Sequence, residues 1–181
     1  MSAREEILGR VRAAVDGAAV PEVPRNYRHT SGVADPVALF CERVSDYRAT
    51  VHRVSDPATV LAELCTGRVA RAPGVEWDAP TDLDDPDTAL TGCALAIADT
   101  GTIVLDGGPL SGRRALTLIP DHHVCIVRAD QVVSSVPEAF ERLEPAHPIT
   151  FVSGPSATSD IELQRVEGVH GPRKLDVVLV G

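Results

Sequence analysis

The sequence predicts an α/β fold, a mixed but mainly parallel sheet flanked by helices. Beyond residue 91, short apolar strand-like runs alternate with helix-like ones, the rhythm of crossover connections between parallel strands. Aromatic residues make up only 3% of the chain, so the core must come from Val, Leu, Ile and Ala, which suits a sheet buried on both faces. The 181 residues are enough for one domain with a sizeable core, and a single domain over 1–181 is expected.

The elements follow in order. Residues 2–15 pattern as an amphipathic helix with Ile7, Leu8, Val11 and Val15 on one stripe, and Ser2 with Glu5 has capping-box spacing. This helical segment, within 1–20, leads into a linker interrupted by Pro21 and Pro24. A helix so tethered is expected to pack on its own domain; docking on a partner is the alternative. Asp35-Pro36 opens a helix over about 36–48, because Pro fits the first turn. A strand follows over 50–54, then a helix opened by Asp56-Pro57 and ending near Gly67, then a short strand over 69–72. Residues 73–90, rich in Pro and Asp, read as an exposed acidic loop. Residues 93–98 and 102–105, joined by Asp99-Thr100-Gly101, read as a hairpin. Strands are expected over 115–119, 124–127 and 149–152, and a last one over 175–180. A helix is expected over 130–143, with Ser135 as the better start since Pro137 must sit in a first turn. Another is expected over 159–167.

Charge narrows the functional classes. The net charge of −9, with no Lys/Arg-rich run, argues against nucleic acid. No apolar run approaches the ~20 residues of a membrane span, and no secretory h-region is visible, so a cytoplasmic location is expected. Cys41, Cys65, Cys93 and Cys125 match no zinc or iron–sulfur spacing and read as buried free thiols in a reducing compartment. No cofactor is expected to be bound by this chain.

The densest chemistry lies in Ile149–Glu162. An apolar strand runs into Ser153-Gly154-Pro155-Ser156, then Thr158, Ser159 and Asp160. Ligands collect at the carboxyl ends of strands in open α/β sheets, and a following helix N-terminus favours anions. Ser156, Thr158 and Ser159 are therefore candidate donors to a small carboxylate or a phosphate, with Gly154 and Asp160 in the same turn. The same hydroxyls could instead only close the turn and cap the helix. The run Gly154–Thr158 has the form G-x-S-x-T, lacking the final glycine of a nucleophile elbow, and no acid is placed for a triad. Arg114, at the end of the Gly-rich stretch Asp106–Arg114, is a candidate carboxylate clamp. In Asp121-His122-His123 the neighbouring side chains of a strand point to opposite faces, which opposes a shared metal; His123 is a candidate acid or base. Glu167 and His170, near the expected helix end, are candidates to reach the same crevice.

The runs Thr91–Ile103, Leu116–Val127, Gly154–Glu162 and Arg165–Pro172 resemble the LUD domain family, densely from residue 91 onward. The resemblance implies a sheet fold similar to ribose-5-phosphate isomerase and the CoA transferases. It also implies work alongside two iron–sulfur lactate-utilization proteins in converting L-lactate to pyruvate, with the clusters in those partners. The alternatives are a non-catalytic assembly or regulatory subunit, or a free-standing enzyme on a sugar phosphate or CoA ester. The stretch between Arg68 and Thr91 is shorter than the family leads one to expect.

Overall fold

The computed structural model describes residues 2–77, 85–144, 146–158, 166–167 and 171–181. The chain runs α1 (Ala3–Val15), α2 (Pro36–Asp46), β1 (Thr50–Val54), α3 (Ala58–Leu64), β2 (Val69–Arg71), β3 (Thr88–Thr91), β4 (Leu95–Ile97) and β5 (Thr102–Leu105). A 3-10 turn at Arg114–Thr117 precedes β6 (His122–Arg128). A second 3-10 turn, Ala129–Gln131, leads into β7 (Val132–Val133), α4 (Val136–Arg142), β8 (Thr150–Val152), β9 (Ala157–Thr158), β10 (Val166–Glu167) and β11 (Lys174–Val180).

Two sheets face each other across a shared hydrophobic cluster. The larger has the order β1-β11-β6-β3-β2 and every pair in it is parallel. Its central strands are apolar at successive positions because both faces are covered. Cys125, Val127, Leu175, Val177 and Leu179 pack on one side with Phe40 and Val44 of α2 and with Ala96, Ile103 and Leu105 of the second sheet. Val124, Val178 and Leu90 pack on the other with Leu61 of α3 and Val75. The second sheet has the order β7-β4-β5-β8. There the β4–β5 hairpin is antiparallel, β7 adds parallel and β8 antiparallel. Its outer side is covered by Ala139 and Leu143 of α4 and its last turn. The α/β class and the mainly parallel main sheet agree with the sequence reading. The mixed part stands apart: the hairpin joins the second sheet rather than an edge of the first.

Several expected elements differ. Residues 115–119 are not a strand: Leu116 N–H bonds Arg113 O and Leu118 N–H bonds Ala115 O, a 3-10 pattern. Both flanks of β6 are already taken by β11 and β3, so no edge is open there for this run. The acidic loop over 73–90 ends early, because Thr88, Ala89 and Leu90 form β3, a fully buried strand between β2 and β6. Too short to show alternation, it read as loop. The part of that loop over 78–84 lies outside the described residues. The helix expected over 130–143 begins only after Ser135, whose hydroxyl accepts from Glu138 N–H; Val132–Val133 ahead of it pair with β4. The helix expected over 159–167 fails at its end, where Val166–Glu167 pair antiparallel with Ala157–Thr158; residues 159–165 lie outside the described residues.

The helix α1 has its Ser2–Glu5 capping box and buries no residue. Ile7, Val11 and Val15 are more than half exposed, so its apolar stripe does not pack on this domain. The chain is fastened further on, where Ser135 Oγ donates to His29 O and Ser31 N–H to Ser134 Oγ.

Candidate functional site

A cavity of about 170 Å³ opens between the amino ends of β6 and β11, strand β8 with the turn after it, and the Arg114–Thr117 turn. Four of the residues singled out in the sequence line it: Arg114, His123, Gly154 and Ser156. Thr117, Ser153, Phe151 and Leu175 complete much of the wall.

Each is positioned by its element. Strand alternation sends His123 and Leu175, which are register partners, to the face shared with the second sheet. His123 is 2% exposed, and its Nε2 lies 2.8 Å from Thr91 Oγ1 on the adjacent β3. Arg114 Nη1 donates to Thr117 Oγ1 at 3.0 Å, since a 3-10 turn eclipses residues three apart. Ser153 Oγ meets Thr102 Oγ1 at 2.7 Å, and Thr102 meets Thr100 at 2.8 Å, tying the turn after β8 to the β4–β5 hairpin. Gly154 has φ +87°, and a Cβ there would stand 2.7 Å from both Cβ and O of Tyr47. Glycine is required for the turn to lie against the end of α2.

The turn is not an open cradle of amides. Ser156 N–H is spent on Pro172 O at 2.8 Å, and the chain continues into β9 rather than directly into a helix. Ala157–Thr158 are strand, and the expected helix start at Ser159 lies outside the described residues; among the described residues, the cation lining this cavity is Arg114. Glu167 returns opposite Ala157 in the β9–β10 ribbon, and Thr158 opposite Val166. Ser159, Asp160 and His170 lie outside the described residues.

Behind His123 sit two buried thiols, Cys93 and Cys125, both free, while Cys41 and Cys65 are half-buried. Cys125 is the more acidic of the buried pair, because Cys93, His123 and Thr91 direct hydrogen bonds to its sulfur; Cys93, as donor and deeply buried, is pushed up.

His122 points to the opposite face, away from the cavity. Its Nε2 donates to Asp176 at 2.7 Å, as does His52 Nε2 from β1 at 2.7 Å, and Lys174 Nζ adds a third contact at 2.9 Å. Burial would raise the Asp176 carboxyl, but the donors His122, His52 and Lys174 outweigh it and hold it well below the usual carboxylate range. Burial, with help from this negative charge, pushes the nearby Cys65 thiol up to about 11. The sequence reading missed this network. Its signal was an acid inside the apolar run Leu175–Val180, since a lone Asp in a buried strand needs partners. Thr117 was not legible in the sequence, because only the 3-10 turn brings its hydroxyl against Arg114.

Among the described residues, no group of three or more His, Cys, Asp or Glu is arranged to hold a metal ion, and no helix is long and apolar enough to cross a membrane.

The LUD domain family profile matches residues 80–180, which include β3 to β11. A Deinococcus radiodurans protein called Lactate utilization protein C is 41% identical over 204 residues, covering 99% of this chain and 96% of that one. Relatives of the same name from Geobacillus sp. and Bacillus subtilis are 31% and 30% identical; the chain spans 48% and 49% of their lengths. Among solved structures, a DUF162 family protein from Deinococcus radiodurans, at 1.70 Å resolution, aligns with TM-score 0.65 and 36% identity, covering 82% of this chain and 98% of that one. On the match to half the chain and the near full-length relative, this chain belongs to the LUD domain family.

Proposed function

We propose that this protein serves lactate utilization by binding a small carboxylate in the Arg114–His123 cavity. The observation that carries the reading is the convergence of Arg114, Thr117, His123 and the Ser153–Ser156 turn on one small cavity. The names of the relatives supply the substrate class. A guanidinium takes a carboxylate through paired, charge-assisted hydrogen bonds. With L-lactate so held, the hydroxyl on the neighbouring carbon falls toward the imidazole of His123, the group suited to accept its proton. In this reading L-lactate becomes pyruvate in the cytoplasm by losing two electrons to the clusters of two iron–sulfur partner proteins and two protons, the hydroxyl proton to His123 and that of the neighbouring carbon to solvent. Titration of L-lactate by calorimetry is the test. Arg114→Gln is expected to weaken binding at least tenfold, in line with the ~1.5–3 kcal/mol of a hydrogen bond to a charged group. Unchanged affinity sinks the carboxylate site.

One observation favours a second reading, an assembly or regulatory subunit: α1 is a complete capped helix that buries nothing in its own domain. Isolated helices of this length are marginal in water, so a surface that covers the stripe would stabilise it. Deletion of residues 1–20 is expected to abolish co-purification with the iron–sulfur partners under this reading. Retained co-purification counts against it.

A further inference from the structure

The carboxylate cavity has an annex. A smaller cavity of about 110 Å³ abuts it, and Arg114, Thr117 and Thr150 line both. These three residues form the boundary between them. A larger cavity of about 460 Å³ lies on the other side of the Arg114–Thr117 turn, against β2. Ala115 and Leu116 line that one, and none of the three boundary residues does, so it does not extend the carboxylate site.

The annex is apolar in its chemistry. Leu105 at the end of β5, Gly107, Gly112 and Pro148 form half of its lining, and none has a hydrogen-bonding side chain. Ser111 also lines it, but its hydroxyl is spent on Asp106: it donates to Oδ1 at 3.0 Å and accepts from the Asp106 N–H at 3.2 Å. The Thr117 hydroxyl is spent on Arg114: it accepts from Nη1 at 3.0 Å and donates to the carbonyl oxygen at 3.4 Å. Among the lining residues Arg114 alone is charged, and it stands at the boundary with the carboxylate cavity.

We propose that the site accepts 2-hydroxy acids with alkyl side chains longer than that of lactate, the chain lying in the annex. This rests on the carboxylate reading above. In a 2-hydroxy acid one carbon bears both the carboxyl group and the side chain. A carboxylate held by Arg114 at the boundary therefore sets the side chain beside the annex. A methylene takes about the room of a water molecule, ~30 Å³, so the annex holds about three beyond the methyl of lactate. Covering apolar walls with an alkyl chain is favourable. A side chain that ends in a second carboxylate is rejected, because it would be desolvated there with no cation to meet it.

The test is calorimetric titration of the full chain with L-lactate, L-2-hydroxybutyrate, L-2-hydroxypentanoate, L-2-hydroxyoctanoate and L-malate. Affinity is expected to rise about fourfold per added methylene through the pentanoate, and to gain nothing further once the annex is full, at the octanoate. L-malate has the carbon count of 2-hydroxybutyrate and is expected to bind about tenfold more weakly than it. Pro148 lines the annex and not the carboxylate cavity, so Pro148→Trp is expected to erase the gain with chain length and to leave lactate affinity unchanged. Affinity that stays flat or falls along the series while lactate still binds overturns this inference and leaves the carboxylate reading standing. Loss of binding by every acid overturns both. Malate bound as tightly as 2-hydroxybutyrate, or a chain-length gain retained in Pro148→Trp, also overturns the inference. Circular dichroism checks that Pro148→Trp folds; if it does not, the series on the unaltered chain decides alone.

Discussion

Asp176 shows how one residue can hold several strands together. It sits on β11 and receives hydrogen bonds from His52 on β1 and His122 on β6, so one carboxylate links three neighbouring strands. Its native pKa is depressed below the unfolded value of about 3.9. The stability it contributes is therefore complete above that value and drains away as pH falls through it toward the native one. Asp176→Asn is expected to lose about 3 kcal/mol at neutral pH, by analogy with other broken buried pairs, and to unfold less steeply in acid. Urea denaturation from pH 7 down to pH 3 measures both; an Asn variant as stable as the wild type at pH 7 would contradict it. The sequence carried the residue in plain view but not its partners. His52 and Asp176 are 124 positions apart, and only strand order brings them together. Arg114 and His123 were legible because their residue types announce chemistry, whereas Thr91 and Thr117 act through neighbours that a linear pattern does not reveal.

At the scale of elements, the turn after β8 depends on a glycine more than on its hydroxyls. Gly154 combines a left-handed backbone with close contact to Tyr47, so Gly154→Ala is expected to destabilise the protein by about 1–3 kcal/mol and to displace Ser153 from Thr102. Thermal unfolding, with L-lactate affinity measured in parallel, checks this; an unaltered Tm would show that the turn relaxes freely. The hairpin has the same dependence, since a Cβ at Gly101 would stand 2.7 Å from the backbone of Arg43. Helices with a cap signal were legible: Ser2, Asp35 and Ser135 all accept from the backbone as their spacing implies. The elements that misled are those whose state is decided by neighbours. The run at 115–119 has strand composition but finds no open edge, and β3 has loop-like flanks but a central place in the sheet.

At the scale of the whole molecule, the core is layered, with one cluster between the two sheets and one on the far face of each, and α1 is outside it. Removal of residues 2–17 is expected to leave the thermal midpoint within about 1 °C, because surface segments without buried contacts contribute little to stability. Differential scanning calorimetry of the shortened and full chains decides it; a fall of several degrees would mean that the stripe is covered in solution. The α/β class was readable because alternation of elements and lack of aromatics are global properties. The division into two sheets was not, since a hairpin reads alike whichever sheet accepts it.

The four-residue turn Arg114–Thr117 is the partition between two cavities, and it is held by short local hydrogen bonds rather than by a sheet. Arg114 and Thr117 line one cavity while Ala115 and Leu116 line the other, so a displacement of the turn reaches both. Two ligands that each displace it would be thermodynamically linked, and the factor by which one alters the other's affinity would be the same in both directions.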